Sequence, residues 1–162
     1  MTHFLISIDI ALWCWMAWRD IASRQVSSFE AMCASVLGLS LAFCGHYVIG
    51  ALEAGAILFS IGYFLWWRGY MGGGDVRLLG AAGLTIPLNV TFSLAVMISL
   101  SGGLLSLFYL LATKTVRPPV LTRPRPTCRL LRVLRAERWR IHRGCPLPYV
   151  CAIAAGVIFV LR

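Results

Sequence analysis

The chain has 162 residues, of which 59% are hydrophobic and 13% are charged, and it carries a formal net charge of +9. An ordinary soluble domain has about 25% charged residues, so this chain has too little polar surface for a water-soluble globule. The composition excludes a soluble fold and predicts an all-α, polytopic membrane protein, in which about six transmembrane helices form a single membrane-embedded domain over residues 1–162.

Apolar runs separated by polar residues predict where the helices lie. We place them near residues 3–19, 29–48, 51–67, 76–87, 90–113 and 146–161. The first, fourth and sixth are short for a full span of about 20 residues. The first run lacks a basic n-region and a small-residue cleavage site and ends in Arg19, so we interpret it as a retained helix rather than a signal peptide.

The first candidate functional residue, Asp20, follows the first predicted helix. An ionisable group at membrane depth is a functional-site candidate by default. Asp20 also stands four residues before Arg24, so a surface ion pair is the alternative interpretation. The second helix is predicted to begin at residues 27–30, which match the Ser-x-x-Glu capping box.

The second candidate, Asp75, comes directly after Gly72, Gly73 and Gly74. Because glycine has no side chain, these residues would let an extended substrate backbone approach the carboxylate, and they permit unusual backbone angles. The alternative is that Asp75 merely caps the fourth helix. Gly83, further along this helix, is interpreted as a packing glycine, and an alanine there is expected to cost little.

The cations predict the orientation of the helices. If the N-terminus lies outside, the inner side holds all 15 Lys and Arg residues except Arg162. Such asymmetry is the positive-inside signature. It predicts that both ends of the chain are extracytoplasmic and that Asp20 and Asp75 both lie at the cytoplasmic boundary.

Residues 114–145 are predicted to form a basic cytoplasmic loop within the domain. Its first part, 117–126, is proline-rich and predicted to be extended. Its second part, 128–143, is predicted to form a basic amphipathic helix that lies on anionic lipid. Nucleic-acid binding is the alternative for a basic run, but topology and lipid contact explain a basic loop between two spans, so no nucleic-acid partner is predicted.

The sequence predicts no metal site and no cofactor. The six cysteines contain no C-x-x-C pair and are interpreted as buried free thiols. Asp9, His3, His46 and Glu53 gather towards the outer face, where a metal site is conceivable. Unrelated interfacial residues are the simpler interpretation of this group.

Two carboxylates on one membrane face suggest peptide hydrolysis. Like charges at short range cannot both ionise cheaply, so a pair holds one proton between its members. The ionised carboxylate activates water, and the protonated one polarises the scissile carbonyl. Which residue plays which part stays open, because such a pair titrates together. Arg19, Arg24 and Arg77 are expected to lower the pKa values of the pair, with Arg24 and Arg77 as its supporting charges, while partial burial raises these pKa values.

Three segments carry a resemblance to a known family. Gly72-Gly73-Gly74-Asp75 fits a G-x-G-D motif and is followed by Val76-Arg77-Leu78, and residues 148–156, which begin Pro148-Tyr149, resemble the last helix of type IV prepilin peptidases. Together with Asp20 after the first helix, these segments look most like the short forms associated with Flp/Tad pili, which lack the added N-terminal domain linked to methylation in the longer enzymes.

The resemblance implies an aspartyl endopeptidase of the bacterial inner membrane with Asp20 and Asp75 as its catalytic pair. It would cut the basic leader from prepilins at the cytoplasmic face, and a homo-oligomer is left open. One departure concerns the segment after the first aspartate, where the family usually has Ile-Pro-Asn and this chain has Val26-Ser27-Ser28. The capping box at this position keeps the helix start by other chemistry.

Two other functions compete with this interpretation. The first is another G-x-G-D intramembrane protease of the presenilin-like kind, which is disfavoured because no Tyr-Asp pair occurs in a helix and no Pro-Ala-Leu-like motif precedes the last span. The second is a non-enzymatic membrane component of a secretion or transport system, in which the two aspartates bind a cation or relay protons.

Overall fold

The structure is a computed structural model that describes residues 2–24, 27–115, 128, 133–134, 136–137, 139 and 147–162. The regular elements of these residues are helices, and no strand occurs among them. The six α-helices are α1 (Thr2–Ser23), α2 (Ser28–Cys44), α3 (Val48–Trp67), α4 (Gly73–Gly83), α5 (Thr91–Thr115) and α6 (Tyr149–Leu161), and a 3₁₀ turn (Leu88–Val90) precedes α5. The prediction of an all-α fold is therefore confirmed.

The helix bounds differ from the prediction by up to four residues, and two of these differences concern the candidate aspartates. α1 continues to Ser23, so Asp20 lies in its last turn rather than after it. The helix ends where Arg24 adopts a left-handed conformation with φ of 56°, a conformation that cannot continue a right-handed helix. α4 begins at Gly73, which puts Asp75 in its first turn rather than before it.

The predicted capping box at the start of α2 is confirmed. The Ser27 side chain accepts a hydrogen bond from the backbone N–H of Glu30, and Glu30 in turn accepts one from the backbone N–H of Ser27 at 2.9 Å. Glu30 also pairs with Arg19 of α1, with 2.6 Å between Nη1 and Oε1. The same carboxylate therefore caps α2 and joins its start to the last turns of α1.

Consecutive helices run in opposite directions, so the bundle has two ends. At the first, which we call the Asp20 end, Asp20 of α1 accepts a hydrogen bond from Val150 of α6, and Arg77 of α4 donates to Ser28 of α2. At the other, the Tyr47 end, the Tyr47 hydroxyl donates to the backbone carbonyl of Thr85, just past α4. The starts of α2, α4 and α6 thus lie together with the end of α1.

The short helix α4 packs between α2 and α3 and also contacts α6, which lies between α1 and α5. Glycine makes the contact with α3 possible, because a Cβ added to Gly83 would lie 2.6 Å from the Cα of Gly55 and 2.8 Å from the carbonyl carbon of Ala54. The expectation that an alanine at Gly83 costs little is therefore wrong. The two helix backbones touch there, so a methyl group can be admitted only if α3 and α4 move apart.

Two helical segments in the described part of the chain are long and apolar enough to cross a membrane. They are Val48–Trp67, with a mean hydropathy of 1.8, and Leu88–Lys114, with a mean hydropathy of 2.1. Only 28% of the first and 6% of the second is buried inside the protein. Their outward faces carry large exposed apolar side chains such as Ile49, Phe92 and Phe108, and exposed apolar surface of this kind marks contact with a membrane or with another protein.

Candidate active site

Asp20 and Asp75 lie at the same end of the bundle and interact electrostatically. Asp20 is only 6% exposed, and Asp75 is half-buried. Burial, and after it the neighbouring charge of Asp75, raises the pKa of Asp20 to about 6. Burial also raises the pKa of Asp75, against the lowering effect of a hydrogen bond from the backbone of Gly72. Such a pair favours a state that carries one proton.

The start of α6 holds the carboxylate of Asp20 in place. The backbone N–H of Val150 donates to Oδ2 of Asp20 at 3.2 Å, and the thiol of Cys151 donates to the carbonyl of Ala17, one turn before Asp20, at 3.4 Å. Pro148 and Tyr149 lead directly into this contact. The first N–H groups of a helix have no partner within the helix and carry partial positive charge, so they suit an anion. The pairing brings together two of the segments that carry the family resemblance.

The glycines before Asp75 are exposed and leave room beside it. Gly72 is the extended N-cap residue of α4, and a Cβ there would lie 3.1 Å from Oδ2 of Asp75. A Cβ on Gly74 would meet nothing within 4 Å. The expectation of unusual backbone angles is wrong, because the described glycine with positive φ is Gly69. The space for an approaching backbone therefore lies at Gly74, while Gly72 keeps the Asp75 carboxylate from being crowded.

A partly buried ion pair whose charges act on Asp20 was not predicted from the sequence. Nη2 of Arg24 donates to Oε2 of Glu137 at 3.0 Å and to the hydroxyl of Tyr109 at 3.2 Å, and this hydroxyl donates to the same Oε2 at 2.7 Å. The charge of Arg24 lowers the pKa of Asp20, and that of Glu137 raises it. The charge of Arg24 thus acts on Asp20 in the predicted direction, and an ion pair joins Arg24 to Glu137. The signal that could have found Glu137 is that it is the only acidic residue between 114 and 145.

Arg77, the other predicted supporting charge, lies on a different side of α4. Its Nη1 donates to the Ser28 hydroxyl of α2 at 2.6 Å. The charges that act on Asp20 from the described residues are those of Asp75, Arg24 and Glu137. Arg77 therefore belongs to the contact between α2 and α4 and not to the surroundings of the carboxylate pair.

The proposed capping role of Asp75 is compatible with its position but does not explain its neighbours. Asp75 stands three residues after the N-cap residue Gly72, where an acidic side chain favours a helix start. A cap needs no second carboxylate, yet α1 places Asp20 close enough to interact with it. Capping and chemistry are thus compatible uses of the same residue.

The predicted thiols and outer polar group differ from expectation in their burial. Cys14, Cys33, Cys44, Cys128 and Cys151 are free, but Cys14 and Cys128 are exposed rather than buried. Cys145 lies outside the described residues. Asp9, predicted to be interfacial, is fully buried in the core. Across residues 2–24, 27–115 and 147–162, no group of three His, Cys, Asp or Glu side chains is placed to hold a metal ion.

Most of the predicted basic loop, 114–145, lies outside the described residues, and so do the predicted extended segment at 117–126 and most of the predicted amphipathic helix at 128–143. The described residues 133–134, 136–137 and 139 are helical. Among them, Glu137 is 8% exposed. This part of the loop therefore folds back against the Asp20 end of the bundle.

The chain was compared with models of protein families, with curated proteins and with solved structures, and none of them matches it.

Proposed function

We propose that this protein is a membrane-embedded aspartyl endopeptidase of the prepilin peptidase type, which removes the basic leader of an Flp-type prepilin. The observation that carries the proposal is that Asp20, at the end of α1, and Asp75, at the start of α4, interact electrostatically. Asp20 is buried and Asp75 is half-buried. The start of α6, at Pro148 and Tyr149, lies against the first of these carboxylates. Three separate segments that resemble the family thus meet in one place.

The chemistry requires one proton on the pair. The ionised carboxylate takes a proton from a water molecule, whose oxygen attacks the scissile carbonyl carbon, while the protonated carboxyl donates a hydrogen bond to the carbonyl oxygen. The C–N bond then breaks, and the leaving amine takes a proton from the pair. The open position at Gly74 admits the extended backbone on which this reaction takes place.

The charge distribution supports a bacterial inner-membrane location with the Asp20 end in the cytoplasm. Of the Lys and Arg residues in the described part of the chain, Arg162 alone lies at the Tyr47 end, which agrees with the positive-inside rule. In this proposal all six helices are embedded in the bilayer, and both ends of the chain are extracytoplasmic. The 11 residues of α4 give a length of about 16 Å, so α4 reaches through only about half of the hydrocarbon core.

The test is co-expression with a candidate prepilin that has a basic leader, then Gly, then an apolar stretch. Leader loss is read by gel shift and mass spectrometry. Asp20→Asn and Asp75→Asn are each expected to abolish cleavage while the protein still accumulates in the membrane, because each change keeps the size of the side chain and removes a titrating group. Glu53→Gln is the matched control, since Glu53 is an exposed acid of α3 near the Tyr47 end.

Cleavage retained by either aspartate variant would rule out the catalytic pair. A wild-type chain that leaves every such prepilin intact, together with aspartate variants that alter ion or proton movement, would favour the non-enzymatic alternative. Asp9→Asn should keep cleavage, because Asp9 lies in the core about 16 Å along α1 from Asp20.

A further inference from the structure

A groove with one charged end runs along the outside of the bundle between α2 and α3, with α4 as its floor. Its volume is about 470 Å³. The lining residues of α2, of α3, and of α4 with its C-cap residue each follow the spacing i, i+3, i+4 and i+7. The middle of the groove is lined by small residues, among them Ala31, Gly55, Ala56 and Gly80. This spacing follows one face of each helix, so the groove runs parallel to the helices for about 10 Å.

The polar end of the groove lies at the Asp20 end of the bundle. Arg77 is the charged residue of its lining, and it donates to the Ser28 hydroxyl across the mouth. The guanidinium has five N–H donors, so this bond leaves most of them available. The ion pairs recorded in the described residues join Glu30 and Glu137 to other arginines. Within the described part of the chain no ion pair joins Arg77 to a carboxylate, so the apolar channel opens at an exposed guanidinium whose charge is not neutralised by an ion pair there.

We propose that this groove binds an anionic phospholipid, with an acyl chain between α2 and α3 and the phosphate on Arg77 and Ser28. The molecule supplies both features that the groove requires, an apolar chain and an acidic group at its end. Basic pockets between helices on the cytoplasmic side are suited to such head groups, and arginine matches the geometry of phosphate oxygens. This proposal rests on the proposed membrane location and orientation, but not on the peptidase chemistry.

A partner helix fits the groove less well. A helix with its side chains is about 10 Å or more across, and 470 Å³ spread along about 10 Å leaves a smaller cross-section than that. A helix would also have to present an acid at the level of Arg77. A phospholipid needs no such coincidence, because its chain adapts to the groove and its phosphate always lies at the membrane surface.

The first test measures lipid retention by native mass spectrometry. The full chain is purified in mild detergent and given equal amounts of phosphatidylglycerol and phosphatidylcholine with identical acyl chains. The wild type should retain phosphatidylglycerol in preference, and Arg77→Gln should reduce this preference about fivefold, the effect of one cation near a lipid surface. Arg68→Gln is the matched control, because it removes the same charge at the same end of the bundle from a residue that stacks on Phe64, outside the groove.

The second test fills the groove and leaves Arg77 in place. Ala56→Phe puts a ring into the channel, and Ile57→Phe puts the same ring on the neighbouring exposed position outside it. Ala56→Phe should lose phosphatidylglycerol, and Ile57→Phe should keep it. Because both positions are exposed, both variants should fold, and their thermal unfolding is measured to verify this.

Five results would overturn the proposal. Equal losses in Arg77→Gln and Arg68→Gln would mean that the preference comes from general surface charge. Retention of phosphatidylglycerol by Ala56→Phe would mean that the groove is not the lipid site. Displacement of the lipid by inorganic phosphate would mean that the site binds free anions rather than phospholipid. A change in oligomer mass in Ala56→Phe with lipid retention intact would assign the groove to a second copy of the chain. A chain that purifies without detergent would remove the membrane location itself, whereas failure of the prepilin assay would leave the lipid result standing.

Discussion

The contact between α3 and α4 predicts a large effect for a single methyl group. In Gly83→Ala the new Cβ would lie 2.6 Å from the Cα and 2.7 Å from the N of Gly55. Carbon atoms pack best at about 3.5–4.0 Å, so the helices must separate locally by about 1 Å. The obstacle is backbone, and no side-chain rotation can relieve it. Overpacking of this kind costs about 1–3 kcal/mol in the free energy of unfolding, and we expect the upper part of this range.

The same shift should disturb the candidate active site. α4 carries Asp75 in its first turn, and a displacement of about 1 Å in a reacting group can lower a catalysed rate about 100-fold. Thermal unfolding of the purified protein measures the stability, and prepilin cleavage measures the rate. Gly103→Ala is the matched control, because a Cβ on Gly103 of α5 meets nothing within 4 Å; it should be neutral or stabilise the helix by about 0.5–1 kcal/mol. If both variants unfold at the wild-type temperature, the backbones of Gly83 and Gly55 are not in the close contact described above.

Four further predictions concern the carboxylate pair. Because the pKa of Asp20 is raised from 3.8 to about 6, the folded chain binds this proton more tightly than the unfolded one, so stability should fall as the pH rises from about 4 to about 6 and then level off. Cleavage should fall above a pH of about 6 as the pair loses its shared proton; a rate that stays constant from pH 5 to 8 would contradict this. Glu137→Gln removes a charge that raises the pKa of Asp20, and it leaves the charge of Arg24 less neutralised. The alkaline limb of the rate profile should therefore move to lower pH. An unmoved limb would show that the charge of Glu137 does not act on the carboxylate pair. Gly74→Val should reduce cleavage sharply while the unfolding temperature stays close to that of the wild type, since its side chain enters open space beside Asp75; normal cleavage would show that no substrate backbone approaches there.

Local signals were sufficient to predict the helical class and several helix starts. The uninterrupted apolar runs predicted the helices that became α3 and α5 to within three residues at each end, because length and hydropathy alone determine which segments can bury their backbone polar groups in helices. The Ser27 capping box predicted the start of α2, because its hydrogen bonds join residues only three positions apart. Asp20 and Asp75 were found in the same way, as polar residues in an apolar chain.

The helix ends at these two aspartates could not be predicted from local pattern. A polar residue after an apolar run indicates a loop, yet Asp20 lies inside α1 because its carboxylate finds a partner in the N–H of Val150, 130 residues away. The Arg24 and Glu137 ion pair, 113 residues apart, was missed for the same reason. A hydrogen bond between distant residues leaves no periodic signal in either segment.

Sequence alone determined the all-helical class, the excess of cations, the two candidate carboxylates and the glycines before the second one, because each depends on residue type and short spacing. Tertiary structure decided which of the neighbouring charges act on that pair. Arg24 binds Glu137, and Arg77 binds Ser28. The same role had been predicted from the sequence for both arginines. Tertiary structure also decided that Gly83 has no room for a methyl group while Gly74 does. The physical reason is that close contact between helices depends on which faces they turn to each other, and that orientation is set by the packing of the whole bundle.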